Sequence, residues 1–121
     1  MTSKKISVLI LAHDEAGVIG NTLASVLDDH SKEDLLFVVA DNCTDSTAER
    51  AREAGARVFV RDTGTADGKG KALAWFMSEC GDCLAGSDML VILDADSKVK
   101  AGFSDIVKKN ITDEKPVFQC F

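Results

Sequence analysis

The feature that most constrains this chain is a regular alternation of short apolar runs with segments of helical periodicity. The predicted strands occupy residues 6–12, 35–40, 57–61, 89–93 and 117–121. The predicted helices occupy residues 15–27, 46 to about 55, 69–80 and 103–110. Strands that alternate with helices indicate a parallel sheet joined by right-handed crossovers. The sequence therefore predicts an α/β fold, a Rossmann-like, mostly parallel sheet with helices on both faces.

Several helix boundaries are marked by polar residues and glycine. Asp14 is placed to cap the first turn of the first helix, and Ser46 with Glu49 has the spacing of a capping box for the second. Gly55 marks the end of that second helix. Asp14 and Asp45 follow strands, so capping and turn formation are one explanation for them, and a role at a site is the other.

Length and charge limit the classes of function. A chain of 121 residues forms a single domain, 1–121. Its 20 acidic and 14 basic residues give a net charge of −6, which argues against general binding to nucleic acid or to an anionic membrane surface. The apolar runs are too short to span a bilayer, and the first residues do not form a secretory signal. We therefore expect a cytoplasmic protein or a soluble piece of something larger, in which any anion is bound by a local site.

The chain has four cysteines, Cys43, Cys80, Cys83 and Cys120. Three of them lie in apolar or helical surroundings, where a reduced thiol packs as a small hydrophobe. We therefore expect reduced thiols and no disulfide framework. Cys80 and Cys83 also have the spacing of a redox pair or of half a zinc site. However, a second pair for zinc is missing, and this pair closes a helix where a thioredoxin-type pair opens one.

Acidic residues follow three of the predicted strands, namely Asp14 and Glu15, then Asp41, then Asp94 and Asp96. Ligands of an open parallel sheet bind beyond the carboxyl ends of its strands. Two carboxylates at positions i and i+2 after a buried strand are expected to point to the same side. That spacing suits one Mg²⁺ or Mn²⁺ ion, which prefers oxygen ligands and can neutralise the charge on a leaving diphosphate.

A basic, glycine-rich segment opens the third predicted helix, at Gly68, Lys69, Gly70 and Lys71. Two ammonium groups and unpaired backbone N–H groups at the positive end of a helix dipole suit an anion. The spacing is not that of a Walker loop, because Lys71 stands where a serine or threonine is required. The alternative explanation is a solvated basic helix start.

Four segments, taken in order, resemble the nucleotide-binding half of the inverting family 2 glycosyltransferases, which have the GT-A fold. They are residues 7–15 (SVLILAHDE), 39–48 (VADNCTDSTA), 68–73 (GKGKAL) and 90–96 (LVILDAD). The resemblance implies an N-terminal, nucleotide-sugar-binding half of a GT-A fold that is incomplete in this chain. It covers nearly all of the residues.

The resemblance also implies roles for individual residues. By the resemblance, Ala12, His13 and Glu15 border the nucleoside pocket, and Asp41 contacts the nucleobase. Lys69 and Arg61 are implied to face the diphosphate. Asp94 and Asp96 are implied to bind the ribose and the cation. Asp96 is the first choice for a direct metal ligand. His13 and Asp14 depart from the tyrosine and asparagine that are common in the family, and we favour packing or base stacking for His13.

The implied reaction is transfer of a sugar from a nucleoside diphosphate to an acceptor hydroxyl, with inversion and with a divalent cation. Family members continue beyond the D-x-D strand, so the acceptor region and the catalytic base are expected downstream and no base is named. We expect a truncated domain or one that needs a complementing chain. The apolar segment 117–121 is then predicted to mediate self-association.

Other functions fit the residues less well. A receiver domain needs its phosphorylated aspartate after the middle strand and its lysine after the last, whereas Asp94 follows the fourth strand and Lys115 precedes the fifth. A sugar nucleotidyltransferase needs a glycine-rich loop with arginine after the first strand, where this chain is acidic. A nucleotide-binding scaffold without catalysis remains an alternative.

Overall fold

The computed structural model describes residues 4–110 and 117–120. Within these residues, five parallel strands form one sheet in the order β3-β2-β1-β4-β5. The strands are β1 Ile6–Ala12, β2 Leu35–Asp41, β3 Arg57–Arg61, β4 Met89–Asp94 and β5 Val117–Cys120. The predicted Rossmann-like α/β fold is confirmed, and β2 and β4 each extend one residue further than predicted, to include Asp41 and Asp94.

Helices cover both faces of this sheet, as the sequence predicts. Those in the described residues are α1 Ile19–Asp29, α2 Thr47–Ala54, α3 Lys69–Cys80 and α4 Phe103–Lys109, with a 3₁₀ helix at Gly81–Leu84 after α3. The buried side chains of α1, α2 and α4 form one core with one face of the sheet. Those of α3 form a second core with the opposite face. Within the described residues, no helix has the length and hydropathy needed to cross a bilayer.

The central strand β1 is buried along its whole length, which fits its apolar sequence. Its alternate side chains enter the two cores, for example Ile10 on the α1 side and Leu9 on the α3 side. The second core also contains Phe37, Phe59 and Phe76, whose ring centroids lie 5.5–6.1 Å apart. Burial of each such side chain contributes about 1.5–3 kcal/mol. These contacts fix α3 against the sheet.

The strand order places a crevice at the carboxyl edge of the sheet, because the chain leaves β1 on one side for β2 and returns on the other side for β4. Ligands of doubly wound sheets bind at such a reversal. The parallel register pairs Leu11 with Asp94, and on the other side it pairs Asp41 with Arg61. The predicted site residues Asp41 and Asp94 therefore end strands on either side of β1.

The first helix begins later than predicted, at Ile19 instead of residue 15. Asp14 does not cap it; this residue has a φ of 50°, and its carboxylate accepts a hydrogen bond from the N–H of Thr44 at 2.6 Å. The carbonyl of Glu15 accepts the N–H groups of Val18 and Ile19 at 3.0 and 2.9 Å, which forms a turn before the helix. Contacts with the next loop thus override the local helical pattern.

The start of α2 also differs from the prediction, because Ser46 makes no capping hydrogen bond through its side chain. Oδ1 of Asp45 instead accepts the N–H of Thr47 at 3.0 Å. Hydroxyl Oγ of Ser46 accepts a hydrogen bond from Nε of Arg50 at 3.2 Å. At the other end, Gly55 has a φ of 103° and terminates the helix, as predicted.

The expectation of reduced thiols is wrong for Cys80 and Cys83, which form a disulfide. Cys80 is the last residue of α3, and Cys83 lies in the 3₁₀ helix that follows directly. This continuation of the helical path brings the two Cα atoms to 5.2 Å, within the normal range for a disulfide. Cys43 is a free thiol. The predicted apolar strand at 117–121 is present in its backbone at Val117–Cys120, while its side chains and Phe121 lie outside the described residues.

Candidate functional site

The end of β4 lies beside the first turn of α3. Nζ of Lys69, the first residue of α3, is 2.5 Å from Oδ1 of Asp94, the last residue of β4. The two side chains are 65% and 57% exposed, so both groups are accessible to a ligand. Gly68 precedes Lys69 with a φ of 104°, a conformation that favours glycine. The basic segment therefore opens a helix, as predicted, and its first lysine contacts the first acid of the D-x-D pair.

The D-x-D pair forms a tight turn that is fixed at its central residue. The carbonyl of Asp94 accepts the N–H of Ser97 at 3.0 Å. Ala95 is buried, and its carbonyl accepts the hydroxyl of Thr22 in α1 at 2.5 Å. Asp96 is exposed, and its carboxylate has no hydrogen bond or ion pair with any residue in the described ranges. Two accessible carboxylates therefore flank a fixed alanine, a donor set that suits Mg²⁺ or Mn²⁺.

Asp41 is a buried carboxylate at the end of β2, 6% exposed. Its Oδ1 accepts hydrogen bonds from Nη1 of Arg61 at 2.8 Å and from Nδ2 of Asn42 at 2.9 Å. Among the residues that the structure describes, none donates a hydrogen bond to its other oxygen, Oδ2. The carboxylate is therefore held in one orientation through Oδ1, which leaves Oδ2 as the acceptor that a ligand can use.

Arg61 is buried between two acids. Its Nη1 donates to Oδ1 of Asp41 at 2.8 Å and to Oδ1 of Asp67 at 2.9 Å. The carboxylates of Asp67 and Asp41 raise the pKa of this guanidinium, and the guanidinium in turn lowers the pKa of Asp67. The resemblance places Arg61 at the diphosphate; in the structure its guanidinium contacts these two carboxylates, and its Nε is buried without a hydrogen-bond partner in the described residues.

His13 follows β1 and is half-exposed. Its Nδ1 is 2.8 Å from the backbone carbonyl of Asp41, so the ring donates a hydrogen bond there. Its Nε2 lies 3.6 Å from Oδ2 of Asp14. The carbonyl of Asp41, followed by the charge of Asp14, raises the pKa of the imidazole. His13 thus joins the ends of β1 and β2, and about half of its side-chain surface is exposed: 49%.

The backbone after β1 is held by the loop before α2. The N–H of Glu15 donates to Oγ1 of Thr47 at 2.9 Å, and the N–H of Ala16 donates to Oδ2 of Asp45 at 3.2 Å. Ala12 is buried at the end of β1. In the described part of the chain, the side chain of Glu15 has no hydrogen-bond or ion-pair partner. Ala12, His13 and Glu15 therefore border the same edge of the sheet.

Sequence reasoning missed one cluster of possible metal ligands, formed by Asp14, Cys43 and Asp45. One ligand atom from each lies within 4.8 Å of the others. Burial raises the pKa of the Cys43 thiol, which disfavours the thiolate that a metal ion would bind. Both carboxylates already accept backbone N–H groups. These contacts explain the cluster as the packing of two loops, and only the folded chain brings them together.

Five of the predicted site residues form two contact groups along one edge of the sheet, whereas Ala12, Glu15 and Asp96 belong to neither group. His13, Asp41 and Arg61 form the first, at the ends of β1, β2 and β3. Lys69 and Asp94 form the second, at α3 and β4. Asp67, which the sequence did not single out, lies between the groups, because it binds Arg61 and stands two residues before Lys69.

One protein family matches most of the chain. The family model for glycosyl transferase family 2 matches residues 7–119. The match begins at the second residue of β1 and ends one residue before the end of β5, and it includes every residue of both contact groups. We conclude that the chain belongs to glycosyl transferase family 2.

Proposed function

We propose that this chain binds a nucleoside diphosphate sugar at the carboxyl edge of its sheet and takes part in transfer of the sugar to an acceptor hydroxyl, with inversion. Family membership supports glycosyl transfer. The observation that carries the proposal is the position of an oriented carboxylate, Asp41, and an accessible pair, Lys69 with Asp94, along a single edge. A nucleobase and a diphosphate need such a pair of subsites.

The nucleobase subsite is assigned to Asp41. Its Oδ1 is occupied by Arg61 and Asn42, so Oδ2 is the oxygen that accepts an N–H group from the base. Uracil and guanine both have a ring N–H that can donate to a carboxylate. Ala12, His13 and Glu15 border this subsite, and the half-exposed ring of His13 is suited to stack on the base.

The diphosphate subsite is assigned to Lys69 and the first turn of α3. This helix has 12 residues, and the N–H groups of its first turn point toward the edge at which Lys69 lies. On binding, Lys69 exchanges the carboxylate of Asp94 for a phosphate oxygen. Arg61 acts indirectly in this proposal, because its guanidinium is engaged by Asp41 and Asp67.

Asp94 and Asp96 would hold a divalent cation, Mg²⁺ or Mn²⁺, with Asp96 as the first choice for a direct ligand and Asp94 also facing the ribose. The accessible carboxylates on either side of the fixed Ala95 support this assignment. When bound, such a cation supplies Lewis-acid stabilisation of the departing diphosphate. Inversion further requires a base that removes the acceptor proton, and we assign no residue in the described ranges to that role.

Titration of the chain with UDP and with GDP, each with and without Mn²⁺, tests the proposal. We expect binding that depends on Mn²⁺, that D96N abolishes, and that D41N weakens. D28N is the matched control, because Asp28 is an exposed acid at the carboxyl end of α1 and has no contact with either group. Calorimetry at constant ionic strength gives the affinity of each protein for each nucleotide, with and without Mn²⁺.

Binding that is indifferent to Mn²⁺ and to both substitutions would contradict the proposal. Metal-dependent binding of UDP without hydrolysis or transfer from a UDP-sugar would favour the alternative function, a nucleotide-binding scaffold. Equal weakening by D28N would show that net charge, and not the site, determines the affinity.

A further inference from the structure

We infer that Asp67 is a positioning residue that couples the nucleobase subsite to the diphosphate subsite. The inference rests on the proposed function and adds to it a residue that neither the sequence motifs nor the family match assigns a role. Asp67 belongs to the segment between β3 and α3 and directly precedes Gly68. Its carboxylate links the Asp41 group, through Arg61, to the residue that lies two positions before α3. Asn42, which donates to Asp41, holds the same segment further from α3, at Thr63 and Gly64.

Asp67 and Arg61 are in contact through two nitrogen–oxygen pairs. Nη1 of Arg61 donates to Oδ1 of Asp67 at 2.9 Å, and Nη2 lies 3.5 Å from Oδ2. The same Nη1 donates to Asp41 at 2.8 Å. Because Arg61 is only 7% exposed, its planar guanidinium is fixed by the surrounding chain. The position of Asp67 is therefore defined relative to Asp41.

This fixed point lies immediately before the lysine that we assign to the diphosphate. Gly68 follows Asp67 with a φ of 104°, and its carbonyl accepts the N–H of Ala72 to begin α3. Lys69 then contacts Asp94. Loss of the Asp67 carboxylate would free the end of the segment next to α3, while Arg61 stays bound to Asp41 and Asn42 still holds the other end. The distance between the two subsites would then no longer be held at the value that one ligand requires.

Comparison of uridine with UDP separates positioning from a general structural role. D67N keeps the shape of the side chain but removes its charge. We expect it to weaken UDP binding about tenfold and to leave uridine binding within about twofold of the wild type, since coupling of this size is usual between neighbouring groups. D62N is the matched control, an exposed acid of the same segment whose carboxylate accepts only the N–H of Gly64, at 3.3 Å.

A double-mutant cycle tests whether Asp67 acts through Lys69. In a K69M background, D67N should no longer change the affinity for UDP, because the group that it positions is absent. In the chain without nucleotide, D67N should also speed hydrogen exchange of backbone amides in residues 62–70, a readout that does not depend on any ligand.

Each of the following outcomes would overturn the inference. Equal weakening of uridine and UDP would make Asp67 a structural residue, and additive effects of D67N and K69M would show that it does not act through Lys69. Unchanged exchange in 62–70 would show that Asp67 does not hold this segment. If the wild type does not bind UDP, both the proposed function and the inference are contradicted. If the wild type binds UDP and D67N binds it equally well, only the inference is contradicted.

Discussion

The ammonium of Lys69 and the carboxylate of Asp94 form an exposed ion pair that joins α3 to β4, with Nζ and Oδ1 2.5 Å apart. Exposed pairs of this kind contribute little to stability, because water screens the charges and two flexible side chains must be ordered. A phosphate group or a cation can therefore replace either partner at small cost. Substitution of Lys69 or Asp94 should therefore change ligand affinity much more than it changes the stability of the fold.

The first prediction follows from that separation. K69M should weaken Mn²⁺-dependent UDP binding by about tenfold to a hundredfold, the range for one charge-assisted hydrogen bond. The free energy of unfolding should change by less than about 1 kcal/mol. Calorimetric titration gives the affinity, and urea denaturation gives the stability.

Lys71 offers the control for this substitution, because it lies one half-turn further along α3 and is 71% exposed. Its Nζ is 3.7 Å from Oδ2 of Asp67, so K71M also removes one surface cation with one weak partner. K71M should change UDP binding much less than K69M. Equal effects of the two variants would indicate nonspecific attraction of the diphosphate and would contradict the assignment of Lys69.

The second prediction concerns the two histidines, whose pKa values should depart from the ordinary value in opposite directions. The backbone carbonyl of Asp41 raises the pKa of His13, and burial lowers the pKa of His30. His30, the residue after α1, is partly buried. NMR titration of the ring protons should give one pKa above and one below about 6.5.

The sign of each effect on stability follows from linkage. The contribution of His13 is present below its unfolded pKa and is lost as the pH rises through its raised folded pKa. The contribution of His30 is present above its unfolded pKa and is lost as the pH falls through its lowered folded pKa. H13Q should remove the first dependence and leave the second. A pKa near 6.5 for both His13 and His30 would contradict both predicted shifts.

The sequence alone predicts most of the fold, for a physical reason that is clearest in β1 and α3. Residues 6–12 are apolar except for Ser7, because both faces of a central parallel strand are buried, and residues 69–80 repeat apolar side chains at helical spacing. The start of α1 could not be predicted in this way. It depends on hydrogen bonds from Glu15 and Ala16 to Thr47 and Asp45, which are distant along the chain.

The candidate site, like the fold, is predictable from the sequence only in part. Asp41, Lys69 and Asp94 are predictable, because their positions at strand and helix ends follow from the order of elements. The partners of Arg61 are not, since its contacts with Asp41 and Asp67 depend on strand register and on the path of the segment after β3. Sequence spacing locates charges at an edge, but only packing determines which charges are paired.

The third prediction concerns Asp34, a buried acid that connects three elements. Its Oδ1 accepts the N–H of Ile6 at 3.1 Å, and its Oδ2 accepts hydrogen bonds from the N–H of Ser31 at 3.0 Å and from Nζ of Lys108 at 2.9 Å. Burial opposes ionisation, but these donors outweigh it and lower the pKa of Asp34. D34A should cost about 3 kcal/mol of unfolding free energy, as expected when a buried ion pair loses one partner.

Because the pKa of Asp34 is lowered on folding, its contribution to stability is present above the unfolded pKa of about 3.9 and is lost as the pH falls through the folded value. D34N should therefore flatten the dependence of the unfolding free energy on pH below about 4. Urea titrations of the wild type and of D34N between neutral and acidic pH measure it. D28N, an exposed acid of α1, should keep the wild-type slope, and an unchanged slope in D34N would contradict the prediction.

The fourth prediction concerns the disulfide between Cys80 and Cys83, which closes a very short loop after α3. The entropy that a cross-link removes from the unfolded chain grows with loop length, so C83S should lower the unfolding free energy by no more than about 2 kcal/mol. Cys80 is 2% exposed and packs in the same core as Phe76, so its side chain should stay buried in the variant. Under non-reducing conditions, thiol alkylation followed by mass spectrometry should modify Cys43 in the unfolded wild type and leave Cys80 and Cys83 unmodified. Alkylation of Cys80 and Cys83 would show that the pair is reduced. A loss of unfolding free energy well above about 2 kcal/mol in C83S would show that Cys83 also contributes to packing.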